Sequence, residues 1–96
     1  MARQKLAESE ITAALTALPG WTYREGKLLR EFKFENFVQA WGFMSSCALV
    51  AEAMNHHPDW SNVWNRVTVE LTTHDAGGIT KNDLDLARRM NEISGK

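Results

Sequence analysis

The sequence predicts a single α+β domain: a four-stranded antiparallel sheet with three helices packed on one face, in the order α-β-β-α-β-β-α. Its length of 96 residues suits one hydrophobic core and is too short for two, so the domain is expected to span residues 1–96. Apolar residues recur at helical spacing in three segments, with strand-length segments between them. The strands come in two pairs joined by tight turns, which favours antiparallel hairpins.

The first third of the chain is predicted to form a helix and then a hairpin. Ser9 is the expected N-cap of the helix, and the breakers Pro19-Gly20 end it. A short strand is expected at residues 21–24 and a turn at residues 25–27. Residues 28–34 then alternate between two faces, as in a half-buried strand, and form the second arm of the hairpin.

A long central helix is predicted from residue 37 to residue 54. Asn36 is its expected N-cap, and Pro58 pushes His57 out of the helical conformation, so the helix should end near Asn55 or His56. The segment carries two apolar stripes on neighbouring faces: Phe37, Ala40, Trp41, Met44, Ala48 and Ala51 on one, and Phe43, Cys47, Val50 and Met54 on the other. So small a domain cannot bury both stripes against its own sheet. We therefore expect one stripe to contact another copy of the chain, in a homodimer or homotetramer, with a wholly buried central helix as the alternative.

The last third of the chain is predicted to form a second hairpin and a helix. A short strand at residues 60–64 leads to a two-residue turn near Asn65. Residues 67–71 alternate between aliphatic and polar side chains, which is the clearest strand pattern in the chain. Beyond two glycines, Thr80 is the expected N-cap of the last helix, with Asp83 as its capping-box partner.

The composition argues against several classes of partner. Eleven basic and twelve acidic residues give a net charge of −1, which provides no electrostatic reason to expect binding to nucleic acid or to an anionic membrane. Cys47 is the only cysteine, so no internal disulfide can form, as is typical of a reducing compartment. Residues 1–6 lack the apolar run of a secretory signal. No segment approaches the roughly eighteen apolar residues of a spanning helix, and a cytoplasmic location is expected.

The three histidines of the chain are the strongest candidates for chemistry. His56 and His57 lie at a helix-to-strand junction, and His74 lies just beyond the last predicted strand. Because the second hairpin folds back on itself, antiparallel pairing should return His74 to the neighbourhood of the other two. Imidazole gains and loses a proton near neutral pH, so we expect metal-free acid–base chemistry in one pocket on a small, flat molecule. The simpler alternative is that these are surface or capping histidines.

A zinc site is a competing interpretation, because three imidazoles and a water form a known catalytic zinc set. Adjacent residues of an extended segment point to opposite sides, however, so His56 and His57 would not easily bind one ion together. The chain also lacks the second cysteine of the commonest structural zinc motifs. We therefore expect no metal at the site.

Three side chains near the histidines are candidates for supporting roles. Trp60 and Trp64 should point to the same side of their strand. They could form an aromatic wall on which a flat heterocycle stacks, or could simply pack in the core. Glu52 precedes His56 by one helical turn and could orient that imidazole, or could be a solvated carboxylate at the helix end.

These residues form a long pattern of rare residue types at fixed spacing. It runs Glu52, three residues, His56-His57-Pro58, five residues, Trp64, nine residues, His74, eight residues and Asp83. Together with the flanking segments 40–44 and 71–78, the pattern resembles that of the pterin-4a-carbinolamine dehydratases. The resemblance extends over about residues 8–94, nearly the whole chain, and implies the same order of helices and strands as the hydrophobic pattern.

The resemblance implies a specific activity and a role for each site residue. Enzymes of that family remove water from 4a-hydroxytetrahydropterin to give quinonoid dihydropterin, in pterin recycling after aromatic amino-acid hydroxylation, and use no metal or organic cofactor. His56 and His74 would transfer protons, and His57 would bind the pterin and could share that work. Glu52 and Asp83 would orient the site. The implied substrate contacts are Asn55, His56, His57, Thr72, Thr73, His74 and Asp75, with Trp60 as an aromatic neighbour and Pro58 and Trp64 as supporting residues.

A protein-interaction module is the alternative function. Animal members of the family also act as dimerisation cofactors of a homeodomain transcription factor, and the apolar central helix of this chain could serve a similar purpose. Two positions depart from the animal members: Asn55 stands in place of an aspartate and Ala76 in place of a cysteine. Neither position belongs to the histidine set, so the expected activity stands.

Overall fold

The computed structural model describes residues 4–96 and confirms the expected order of helices and strands. All neighbouring strands are antiparallel, in the order β1-β2-β4-β3, so the predicted α+β fold is confirmed. The elements are α1 (Glu8–Leu15), β1 (Thr22–Arg24), β2 (Lys27–Lys33), α2 (Phe37–Met54), β3 (Asp59–Val63), β4 (Arg66–Leu71) and α3 (Lys81–Ser94), with a short 3₁₀ helix at His74–Ala76.

The pairing of β2 with β4 joins the two hairpins into one sheet. Phe32 lies opposite Val67 and Leu28 lies opposite Leu71, and all four side chains are buried. The alternation of buried and exposed residues along these strands places one face of the sheet against the helices and leaves the other to solvent. Because β4 lies between β2 and β3, its end is held beside the start of β3.

The core lies between the sheet and the helices and contains a group of packed aromatic rings. Phe43 of α2 lies with its ring centroid 4.6 Å from that of Phe32 and 5.0 Å from that of Phe34. Trp21 meets Phe32 edge-on at 6.0 Å. Aromatic pairs of this kind contribute about 0.5–1.5 kcal/mol each beyond the area that they bury. These contacts fix α2 across the sheet, and with it the helix end that leads to the histidines.

Two of the predicted helix caps are present in the structure. The Asn36 side chain accepts a hydrogen bond from the Gln39 N–H at 2.9 Å and so starts α2. Thr80 caps α3, and the Asp83 carboxylate accepts a hydrogen bond from the Thr80 N–H at 2.9 Å. Both predictions are therefore confirmed.

The predicted cap at Ser9 is wrong. Helix α1 begins at Glu8, so Ser9 lies inside it. The Glu10 carboxylate accepts a hydrogen bond from the Ala7 N–H at 2.8 Å. The glutamate thus provides the acceptor that the Ala7 N–H needs at the helix start. The helix therefore begins at Glu8, before the predicted cap at Ser9.

Helix α2 buries a stripe that combines residues of both predicted stripes, namely Ala40, Phe43, Cys47 and Ala51. The helix contacts the sheet along the boundary between the two stripes and leaves a different set of apolar side chains outside. We call this set the apolar face of α2; it comprises Phe37, Val38, Trp41 and Leu49, which are between 49% and 77% exposed. Among residues 4–96, no helix has both the length and the apolarity needed to cross a membrane.

Trp64 lies in the turn between β3 and β4, which corrects the prediction that it shares a strand face with Trp60. Strand β3 ends at Val63, and Trp64 has a left-handed backbone with a φ of 52°. The turn is held by Asn65, whose side-chain amide donates to the Phe34 carbonyl at 2.9 Å and whose own carbonyl accepts from the Phe34 N–H at 2.8 Å. The Trp64 side chain is consequently 64% exposed, while Trp60 packs partly against the core.

Cys47 should be unreactive in the folded protein, because it is fully buried and burial raises the pKa of its thiol to about 12. Only the thiolate attacks a disulfide reagent. At pH 8 we expect labelling by an aromatic disulfide to be slower than that of an unperturbed cysteine by on the order of a thousandfold. Unfolding in urea should restore fast labelling, and an exposed Ser46→Cys variant should label rapidly in native buffer. Rapid labelling of the native parent protein would contradict the burial of this thiol.

Candidate functional site

A pocket of about 220 Å³ lies beside the end of α2 and the end of β4. It is lined by Asn55, His56, His57, Thr72, Thr73, His74 and Asp75. The structure therefore brings the three histidines together. It also brings to the same pocket every residue that the resemblance implies as a substrate contact, apart from Trp60.

The end of α2 places His56 and His57 at the pocket. Asn55 adopts a left-handed conformation with a φ of 52°, which asparagine tolerates better than most residues, and ends the helix. The His56 N–H still bonds the Ala51 carbonyl at 3.0 Å. Pro58 favours an extended conformation in the residue before it, and the chain then enters β3.

The second hairpin places His74 at the same pocket. Asp59, the first residue of β3, lies opposite Glu70 near the end of β4. The chain that follows β4 therefore returns to the start of β3. A bridge between Thr73 and Gly78, with the Thr73 N–H 3.0 Å from the Gly78 carbonyl oxygen, closes the loop that carries His74.

His56 is the buried member of the three, with only 4% of its surface exposed. Its Nε2 lies 2.5 Å from Oδ1 of Asp83, whose side chain is fully buried. The second carboxylate oxygen, Oδ2, accepts hydrogen bonds from the Thr73 hydroxyl at 2.8 Å and from the Thr80 N–H at 2.9 Å. Within residues 4–96, no buried side-chain nitrogen or oxygen lacks a partner. The pair thus has the hydrogen bonds that a buried ionisable pair requires.

Glu52 contacts His57, whereas its helical spacing predicts a contact with His56. Its Oε1 lies 2.9 Å from Nε2 of His57, and both side chains are more than half exposed. The spacing argument assumes that the helix continues through His56, but the left-handed Asn55 ends the helix one residue earlier. The four-residue separation therefore no longer places Glu52 and His56 on one face.

His74 is the most exposed of the three, at 81%, and its Nε2 lies 4.0 Å from Oδ2 of Asp59. Asp59 is not among the residues that sequence reasoning singled out. It could have been found, because the hairpin that returns His74 returns it to the first residue of β3. A contact this long and this exposed contributes at most about 1 kcal/mol even when the imidazole is charged, so a ligand could displace it with little loss.

Neither Trp60 nor Trp64 lines the histidine pocket. Trp64 lies in the turn at the opposite end of β3. A second groove, of about 230 Å³, is lined by Asp59, Trp60, Ser61, Thr68 and Glu70. The two rings therefore do not form the expected aromatic wall beside the histidines.

The site histidines form three separate pairs with carboxylates: His56 with Asp83, His57 with Glu52 and His74 with Asp59. Within the described part of the chain, residues 4–96, no group of three or more His, Cys, Asp or Glu side chains could hold a metal ion. Imidazole exchanges protons near neutral pH, and a neighbouring carboxylate fixes its orientation and stabilises the imidazolium form. The arrangement is therefore suited to proton transfer.

Comparison with known proteins gives consistent matches over nearly the whole chain. The family model described as Pterin 4 alpha carbinolamine dehydratase matches residues 4–93. A relative from Solibacter usitatus, provisionally named a pterin-4-alpha-carbinolamine dehydratase, is 57% identical over 90 residues, which cover 94% of this chain and 95% of the relative. A relative from Brucella ovis with the same provisional name is 50% identical over an alignment of 97 positions, which covers 99% of this chain and 100% of the relative.

Two solved structures share the fold. A crystal structure described as a transcriptional coactivator/pterin dehydratase from Brucella melitensis superposes with a TM-score of 0.93 at 47% identity, covering 96% of this chain and 100% of that one. A pterin dehydratase-like protein identified as a RuBisCO assembly factor in the alpha-carboxysome superposes with a TM-score of 0.65 at 19% identity, covering 79% of this chain and 88% of that one. The second likeness concerns the fold alone.

Replacing Asp83 should destabilise the fold far more than replacing Glu52. In Asp83→Ala the Thr80 N–H, the Thr73 hydroxyl and the His56 ring lose a buried partner, so the free energy of unfolding should fall by about 3–5 kcal/mol. Glu52→Ala removes one exposed contact and should change it by about 1 kcal/mol or less. Urea unfolding followed by tryptophan fluorescence measures the free energy of unfolding of both variants. Equal losses in the two variants would contradict the structural role of the buried pair.

Proposed function

The chain belongs to the pterin 4 alpha carbinolamine dehydratase family, and from this premise we propose that it removes water from a 4a-hydroxytetrahydropterin to give quinonoid dihydropterin. The observation that carries the proposal is the convergence of three histidines, each paired with a carboxylate, on one pocket. A cavity of about 220 Å³ is smaller than the roughly 300–1,000 Å³ typical of drug-sized ligands. It suits a small ring system better than a large cofactor.

The reaction needs two proton transfers and no oxidant. A proton delivered to the 4a-hydroxyl lets the carbon–oxygen bond break with water as the leaving group. A proton removed from a ring nitrogen lets its electron pair form the new carbon–nitrogen double bond. Positioned side chains that perform such transfers typically accelerate a reaction about 10²–10⁴-fold. That no metal or organic cofactor takes part remains our prediction.

The three histidines divide this work according to their surroundings. His56 is held by the buried Asp83, which stabilises the imidazolium formed when the ring accepts a proton. His74 lies at the exposed rim and would be the second proton-transfer group. His57, which precedes Pro58 and is contacted by Glu52, would bind the pterin and could share the transfers. The remaining contacts would come from the pocket residues Asn55, Thr72 and Asp75.

Interaction with protein partners is the second candidate function, and the apolar face of α2 favours it. Its four side chains are between 49% and 77% exposed, and exposed apolar patches on soluble domains commonly mark interaction sites. We propose that this face, which differs from both predicted stripes, associates with another copy of the chain in a dimer or tetramer.

Loss of the histidines should abolish most of the dehydration without unfolding the protein. We expect His56→Ala and His74→Ala each to lower the rate constant by about 10²–10⁴-fold, measured by the absorbance change of a 4a-hydroxytetrahydropterin generated in situ. Lys33→Ala, on the solvent face of the sheet, is the control and should keep the parent rate. Circular dichroism verifies the fold of each variant. Parent-like rates in both histidine variants would overturn the assignment, and loss of activity on treatment with a chelator would support a metal instead.

Charging the apolar face of α2 should dissociate the proposed oligomer. Trp41→Glu combined with Leu49→Glu introduces two like charges into the contact, whereas Thr16→Glu places one on an exposed surface of another segment. Sedimentation velocity should give a smaller species for the double variant and the parent species for the control. A parent protein that already sediments as a monomer at high concentration would overturn this proposal.

A further inference from the structure

We infer that Thr73 and Thr80 are positioning residues: their hydroxyl groups form a directed chain of hydrogen bonds that makes Asp83 accept from His56 and so holds the proton of that imidazole on Nε2. The nitrogen at which His56 gains and loses a proton is then Nδ1. The consequence for catalysis rests on the proposed dehydratase function. The arrangement of the protons rests on the geometry alone.

The chain of hydrogen bonds connects the start of α3 with the histidine pocket. The Asn82 N–H donates to the Thr80 hydroxyl at 3.3 Å, and the Thr80 and Thr73 hydroxyl oxygens lie 2.8 Å apart. The Thr73 hydroxyl lies 2.8 Å from Oδ2 of Asp83, and Oδ1 of Asp83 lies 2.5 Å from Nε2 of His56. The four linked side chains are each 4% exposed or less, so bulk water does not compete for these bonds.

The direction of the chain follows from the number of hydrogens. Each threonine hydroxyl has one hydrogen to donate, and an ionised carboxylate has none. The hydrogen of Thr73 is therefore used on Asp83, and Thr80 must donate its own to Thr73 while accepting from the Asn82 N–H.

The reverse direction is less favourable. It would require a protonated Asp83 that donates to Thr73, while Thr73 donates to Thr80. The hydroxyl hydrogen of Thr80 would then point away from Thr73, and no hydrogen bond described around Thr80 offers it an acceptor. A buried polar hydrogen without an acceptor is costly. In addition, the Thr80 N–H already donates to Oδ2, the oxygen that would have to carry the added hydrogen.

An Asp83 carboxylate that can only accept hydrogen bonds determines the tautomer of His56. Since Oδ1 can only accept, Nε2 of His56 must carry the hydrogen between them. The second nitrogen, Nδ1, is then the one whose protonation can change during a reaction. A carboxylate that holds one ring nitrogen in this way fixes both the tautomer and the direction of the ring.

Substitutions at Thr73 can distinguish the orientation of the Asp83 carboxylate from the capping of α3. The capping box of α3 needs only the Thr80 hydroxyl and the Asp83 carboxylate. Thr73 lies outside the helix, in the loop after β4, and its hydroxyl contacts the Thr80 and Asp83 side chains and not the free N–H groups of the helix start. Its contact with Oδ2 serves the orientation of the carboxylate, so substitutions at Thr73 test the inference with the least disturbance of α3.

The test compares Thr73→Val, which keeps the side-chain shape, with Thr73→Ser, which keeps the hydroxyl. Imidazole ¹⁵N chemical shifts report the tautomer of His56, and the dehydration assay reports its consequence. The parent protein and Thr73→Ser should show His56 with hydrogen on Nε2. Thr73→Val should show a mixture of tautomers and a loss of roughly 10–100-fold in the rate constant, as expected for a lost hydrogen bond to a charged group. Ile11→Val, a core change in α1, controls for a lowered melting temperature and should alter neither readout.

Three results would overturn the inference. The first is a parent spectrum with the His56 hydrogen on Nδ1, which needs no variant and so holds even if Thr73→Val fails to fold. The second is a Thr73→Val protein with the parent tautomer and the parent rate. The third is an equal loss in Thr73→Ser and Thr73→Val. A parent protein without dehydration activity would instead count against the proposed function, while the ¹⁵N spectra would still decide the proton arrangement.

Discussion

Asp83 carries its carboxylate into the interior of the protein, where a charge is tolerated only if it is paired and hydrogen bonded. Its oxygens meet the Thr73 hydroxyl, the Thr80 N–H and the His56 ring. These groups come from the loop after β4, the start of α3 and the segment after α2. A shift of any one segment would leave the carboxylate short of a partner, so this single side chain holds together the segments that meet at the pocket.

The fold meets the requirements of this interaction through elements that also stabilise the protein. The β2–β4 pairing and the packing of Phe43 fix the sheet and α2, and with them the position of Asn55. The capping box at Thr80 turns the Asp83 side chain back toward the helix start. That is also the direction of His56. Helix initiation and site geometry therefore depend on the same residue, and a change at Asp83 affects both.

The sequence was sufficient to predict the order of helices and strands, the caps at Asn36 and Thr80 and the family. Each of these depends on local chemistry or on a long motif, and the family matches confirm the resemblance. It was not sufficient to pair histidines with carboxylates. The partner of His56 is 27 residues away along the chain, so tertiary packing alone decides the pair. The spacing of residues along the sequence also cannot reveal a single left-handed residue. Asn55 is such a residue, and by ending α2 it leaves Glu52 beside His57.

The three histidine–carboxylate pairs differ in a way that bears on the proposed reaction. The pair of His56 is buried, where electrostatic interactions are stronger than in water. The pairs of His57 and His74 are exposed and contribute about 0–1 kcal/mol each. An entering ligand can replace the contacts of the exposed pairs with its own, but it cannot reach those of Asp83. The pocket thus combines one histidine oriented before the substrate arrives with two that can adapt to it. The proposed dehydration would use both kinds of histidine, because the departing hydroxyl requires a proton and the pterin ring must be held in place.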